Sequence, residues 1–113
     1  MNEYEANERL CVHLRGTMYF HGNTNSKFSG PVKRGLRLLL WGSSDKKATS
    51  CSFVNDLSIS IGESKVTEII ILSPKSIDKK IKIEDNYAIG FPQIKIGEFK
   101  ISEILGEWKG KVP

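Results

Sequence analysis

Alternation of apolar and polar positions dominates this chain. In residues 9–15, Leu10, Val12 and Leu14 fall on one face and Cys11 and His13 on the other, as a half-buried strand requires. Residues 16–20, GTMYF, extend that strand past a bulge at Gly16. Residues 21–31 are dense in Gly, Asn and Ser and predict a loop. The run LRLLLW, residues 36–41, is short and bounded by Gly35 and Gly42, so it predicts a buried strand where a helix would want more length. Residues 42–50 predict a turn, and residues 51–54 a short strand.

The second half repeats the pattern. Residues 57–64 alternate Leu57, Ile59 and Ile61 before a turn at Gly62, and residues 65–73, KVTEIIILS, form a β-branched run that stops at Pro74. Residues 80–84 and 93–105 alternate again. Gly97 interrupts the last run as a bulge or a close backbone approach would. Nowhere do apolar residues recur at helical spacing for three turns. The expected fold is all-β, a set of short strands closed into a sandwich or barrel. Residues 1–8 are expected to be a flexible polar lead and residues 9–113 a single domain.

Composition narrows the class. With 113 residues, 39% hydrophobic and 27% charged, the chain suits one soluble globular domain with a modest core. No apolar run approaches the roughly 20 residues that cross a bilayer as a helix, so no membrane partner is expected. The opening MNEYEANERL is acidic and polar, unlike a secretory leader, which places the expected location in the cytoplasm. Cys11 and Cys51 are too few for a disulfide framework.

The net charge of +4 is unevenly spread. From Arg9 to Ser44 there is no Asp or Glu, while Arg9, Arg15, Lys27, Lys33, Arg34 and Arg37 supply positive charge. From Asp45 onward, eleven lysines stand against ten acids. The basic third of the chain is its electrostatic feature.

Within that third lies GPVKRGLRLLLW, residues 30–41, where Pro31, Gly35, Arg37 and Trp41 make a Pro-x-x-x-Gly-x-Arg run leading into an aromatic-ended strand. This resembles the signature at the second strand of the C-terminal β-barrel domain of the elongation factor Tu family. ISIGESKVTEIIILSP is similar to that family's turn followed by a long apolar strand. YAIGFPQIKIGEFKISEIL resembles its paired last strands, with Ile96 and Gly97 at the bend. The resemblance runs from about Arg9 to Leu105. It implies a closed antiparallel β-barrel of about six strands. With no P-loop and no room for a GTPase domain, it implies the barrel alone.

In elongation factor Tu the matching region helps grip the backbone of transfer RNA and abuts the GTPase domain. By resemblance, Lys33, Arg34 and Arg37 sit near such a surface, with Lys27 on the preceding loop. Tyr19, Phe20 and Phe28 lie in the same segment and are candidates to stack on bases. The alternative is that these cations only solvate a loop, with Arg37 paired to Glu63 or Glu84.

Other chemistry is thin. Cys11, His13, His21 and Cys51 lack the doubled, closely spaced pairs of a structural zinc site. No nucleophile elbow, activated-cysteine motif or His-Glu-x-x-His occurs, and adjacent Glu84 and Asp85 would point to opposite faces of a strand. The expectation is a non-catalytic module without cofactor, metal or small-molecule substrate, holding RNA or a protein partner through a basic loop rim. A rival from another class is a small immunity- or antitoxin-like protein that neutralises a partner protein by direct binding. Trp108, in GEWKGKVP, suits either a core plug or a partner contact.

Overall fold

A computed structural model describes residues 3–5, 11–42, 48–73 and 80–113. Of the turn expected over residues 42–50, residues 43–47 lie outside the described residues and Thr49 and Ser50 belong to a strand; most of the polar lead also lies outside the described residues. Among the described residues eight strands are formed: β1 Glu3–Glu5, β2 Val12–Phe20, β3 Arg37–Trp41, β4 Thr49–Phe53, β5 Ser64–Ile71, β6 Lys80–Lys82, β7 Asn86–Phe91 and β8 Ile94–Glu107. Six of them close into an antiparallel barrel in the order β2-β5-β4-β3-β7-β8, with β8 returning to β2. The expected all-β closed barrel is therefore the observed one.

Each barrel strand turns alternate side chains inward. Val12, Leu14, Met18 and Phe20 of β2 meet Leu38 and Leu40 of β3, Cys51 and Phe53 of β4, Ile69 and Ile71 of β5, Ile89 of β7, and Ile96, Phe99, Ile101 and Ile104 of β8. The side-chain period of a strand is two, so this register turns most of the apolar set inward and most of the charged set outward. Ring closure gives each of these strands two neighbours and leaves far less free edge than an open sheet would show.

Two glycines set the curvature. At Gly16 the register of β2 against β8 slips, and an added Cβ would lie 2.3 Å from the Lys100 carbonyl oxygen and 2.6 Å from Phe99 Cζ. A Cβ on Gly97 would lie 2.2 Å from the Tyr19 carbonyl oxygen. Both positions let β2 and β8 approach closely where the sheet coils.

The strand order is a Greek key. β3, β4 and β5 follow one another, and β2 lies beside β5. The connection from β2 to β3, residues 21–36, must therefore cross the mouth of the barrel, because those strands stand opposite one another in the ring. Phe28 anchors it, packing between Phe20 and Phe91 with ring centroids 5.8 Å from each. Within it, Val32 exchanges backbone hydrogen bonds of 2.9 and 2.8 Å with Leu57, and both side chains are buried. At the other end, β6 pairs with β1 as a separate two-stranded sheet and sends the fully buried Ile81 into the core cluster.

Two segments depart from the sequence reading. Residues 57–63 alternate as a strand should, yet they form only the isolated bridge at Leu57. Leu57 and Ile59 are buried as mouth plugs while Ile61 stays 60% exposed, so their alternation seals the barrel end instead of building its wall. Within the polar lead, Glu3–Glu5 is β1, with Glu3, Tyr4 and Glu5 in register with Lys82, Ile81 and Lys80. Its polarity conceals a strand from any argument based on apolar periodicity.

Candidate nucleic-acid interface

The mouth-crossing connection carries most of the cations singled out in the sequence. Its first half is folded on Asn23, whose Oδ1 accepts from Asn25 N at 2.8 Å and whose Nδ2 donates to the Lys95 carbonyl oxygen at 3.1 Å. Ser26 Oγ accepts from Phe28 N at 3.1 Å, which turns Phe28 inward and leaves Lys27 exposed at the apex.

The second half is a tight turn, closed by a Leu36 N to Lys33 O bond of 2.9 Å, with Gly35 at φ 85° in its third position. Gly35 N donates to Phe53 O at 2.8 Å, Phe53 N donates to Leu36 O at 3.1 Å, and Arg34 N donates to Asp56 Oδ1 at 2.7 Å. The turn is thus fastened to the end of β4 by backbone and carboxylate alike. Lys33 and Arg34 project from it into solvent, and Arg37, the first residue of β3, points outward beside them. Three exposed cations stand on a backbone that its own hydrogen bonds hold still.

Next to Arg37 lies a shallow hollow of about 170 Å³, floored by Leu38, Leu39, Ser50 and Gly90 and walled by Phe91 and Pro92. Among the described residues no carboxylate pairs with Lys27, Lys33, Arg34 or Arg37. Glu63 accepts from Ser60 N instead, at 2.7 Å, and Glu84 pairs with Lys100 at 2.9 Å, so neither neutralises Arg37. On the β2–β8 wall, by contrast, cations are matched by carboxylates. Arg15 pairs with Glu103 and, at 3.4 Å, with Glu68; Lys95 pairs with Glu98 at 3.1 Å.

The aromatic candidates do not join this surface. Phe20 is fully buried in the core, and Phe28 is half-buried between Phe20 and Phe91, so Phe20 offers no face to a base and Phe28 is committed to packing. Tyr19 is 39% exposed, but it lies on the outer face of β2, across the ring from β3. There it lines a separate open groove of about 480 Å³ with Thr17, Glu84, Asn86, Glu98 and Lys100. Burial follows from strand parity: Phe20 shares the inward face with Met18, and Tyr19 takes the opposite one.

Sequence reasoning missed Asp56 and Phe91. Asp56 sits 22 residues from the turn whose amide it accepts. Phe91 borders the hollow beside Arg37 because β7 lies beside β3. It also missed a polar cluster on the outer wall, where His13 Nε2 lies 2.6 Å from Glu68 Oε1 and Trp108 packs edge-on against His13 at 5.0 Å. Trp108 is therefore neither a core plug nor free. Its indole N–H donates to the Lys111 carbonyl oxygen at 3.2 Å.

Cys51 is fully buried, and removal from water pushes its ionisation up from 9.0 to about 12, against the opposing pull of a backbone hydrogen bond from Leu38. A thiol that stays protonated is a poor nucleophile. No protein-family model matches the chain, and comparison with curated proteins finds no significant relative.

Proposed function

We propose that the protein is a non-catalytic binding module that holds the phosphate backbone of RNA on the surface made by Lys33, Arg34 and Arg37, with Lys27 at its margin. The observation that carries this reading is the contrast in charge pairing. Cations on the β2–β8 wall are matched by carboxylates, whereas those on the β3 side of the mouth have none among the described residues. Unpaired, exposed cations on a fastened turn suit phosphate contacts, which position a nucleic acid without reading its sequence. Resemblance of the same turn to the elongation factor Tu barrel points toward a transfer-RNA-like ligand.

Fluorescence anisotropy of labelled transfer RNA, titrated with the protein at low and moderate salt, tests the reading. Binding should weaken steeply with salt, and replacing Lys33, Arg34 and Arg37 together by alanine should abolish it. No binding at low salt, or binding that the triple variant retains, would remove RNA as the ligand.

A further inference from the structure

Within a closed barrel every strand should have two neighbours, yet β5 outreaches β4. It pairs with β2 along its whole length, from Ser64 opposite Tyr19 to Ile71 opposite Val12, but with β4 only at Ile69, Ile70 and Ile71. Val54 N donates to Glu68 O at 3.1 Å, so the backbone polar groups of Glu68 turn toward β4. By the two-residue period of a strand, those of Val66 and Ser64 turn the same way. After Val54 the chain leaves the ladder. Among the described residues no backbone hydrogen bond reaches Ser64 or Val66 from that side. Only the Lys65 side chain spans the gap, its Nζ donating to the Ser58 carbonyl oxygen. Ser64 and Lys65 are exposed, and Val66 is 64% exposed.

We propose that this edge receives an extended segment of a partner protein, antiparallel to β5, with a carboxylate residue at its centre opposite Lys65. One register uses all four vacant groups, the N–H and C=O of Ser64 and of Val66. Partner residues then face Ser64 and Val66 as hydrogen-bonded pairs, and the residue between them faces Lys65 in the non-hydrogen-bonded position, where side chains approach most closely. That position selects the occupant. A second copy of this chain in the same register would set Lys65 against its own counterpart, and like charges directly opposite are destabilising. Lysine on an edge strand is a common guard against self-pairing. Aspartate or glutamate there converts the same lysine into an attraction. An apolar residue on either side of it would cover Val66, which otherwise stands in water. Strand addition of this kind draws affinity from main-chain hydrogen bonds and selectivity from alternate side chains. The proposal does not depend on RNA binding.

The test is an NMR amide-shift titration of the full chain with two capped pentapeptides, Thr-Val-Glu-Val-Thr and Thr-Val-Lys-Val-Thr, at millimolar concentration. The glutamate peptide should shift the amides of Ser64 and Val66 and bind about three- to tenfold more tightly than the lysine peptide. Lys65→Glu should invert that order. Val66→Pro deletes an amide that the β2 ladder does not use, and should abolish binding of both peptides while the rest of the spectrum stays folded. Equal binding of the two peptides, shifts confined to other strands, or no shift at all would overturn the proposal. So would concentration-dependent dimerisation of the unmodified chain through this edge, since it would make a second copy the occupant.

Discussion

Ser52 Oγ, on β4, donates to the carbonyl oxygen of Pro113 at 2.7 Å, joining positions 61 residues apart. At the other end of the same tail, Trp108 N donates to Cys11 O at 2.9 Å and the indole ring meets His13. Residues 108–113 thus run across the outside of the barrel from β2 toward β4. Between their two anchors lies Ile70, in register with both His13 and Ser52. Ile70 is fully buried although it is absent from the barrel's interior cluster, because the tail roofs it.

Ile70→Ala should therefore cost about 2–4 kcal/mol, as an interior isoleucine would. Val66→Ala, two strand turns away on the same outer face, should stay within about 0.5 kcal/mol. Ser52→Ala, which removes one anchoring hydrogen bond, should cost about 1 kcal/mol. Urea denaturation of the three variants checks the order. Equal, small losses would mean that the tail does not bear on stability.

Cys51 ties stability to alkaline pH. In the folded chain burial holds the thiol protonated up to about 12, against 9.0 in the absence of that burial. Below pH 9 both states carry the proton and the thiol's contribution is fully present. Between 9 and 12 only the unfolded chain releases it, so stability falls with pH by up to about 1.4 kcal/mol per unit. The gap between the parent chain and Cys51→Val, measured by denaturation at successive pH values, should move in favour of the variant across that window. A constant gap would show that the thiol ionises equally in both states.

Gly16 should tolerate no side chain. The positions of the Lys100 carbonyl and the Phe99 ring leave a Cβ 2.3 and 2.6 Å from them, and a backbone carbonyl cannot swing aside as a side chain could. Gly16→Ala should cost about 2–3 kcal/mol through forced separation of β2 and β8. A lowered thermal midpoint together with faster exchange of amides along β8 would report it. Unchanged exchange there would mean that the strain is absorbed elsewhere.

Strand identity was legible wherever one face of a strand meets the core and the other meets water. β2 and β8 follow from the alternation of Leu10, Val12 and Leu14 and of residues 93–105, β3 from a short leucine run between two glycines, and β5 from a β-branched run. The close approaches at Gly16 and Gly97 were legible for the same reason, as gaps in an otherwise apolar alternation. The plug at residues 57–59 was not, because the same period serves a wall strand and a chain that dips into a barrel mouth. The candidate surface was half legible. The cations of residues 33–37 are local to one turn and stay together, whereas Tyr19 and Arg37, 18 positions apart in sequence, are separated by half the ring once strand order is known. Pairing partners come from distant segments, and no local pattern encodes them.

That separation makes the RNA reading discriminating. If phosphates dock on the β3 side, Arg37→Ala should weaken transfer RNA binding and lower the slope of log affinity against log salt by about 0.7–0.9, the share of one phosphate contact. Tyr19→Ala should leave both affinity and slope unchanged, since the ring opens into the groove on the opposite wall. The pair of variants also separates backbone contact from base stacking. Loss of a stacking aromatic would lower affinity by a similar factor at every salt concentration and leave the slope alone. Should Tyr19→Ala weaken binding in that salt-independent way while Arg37→Ala does nothing, the nucleic acid would lie along the β2–β8 wall, and the unpaired cations at the mouth would not be its contacts.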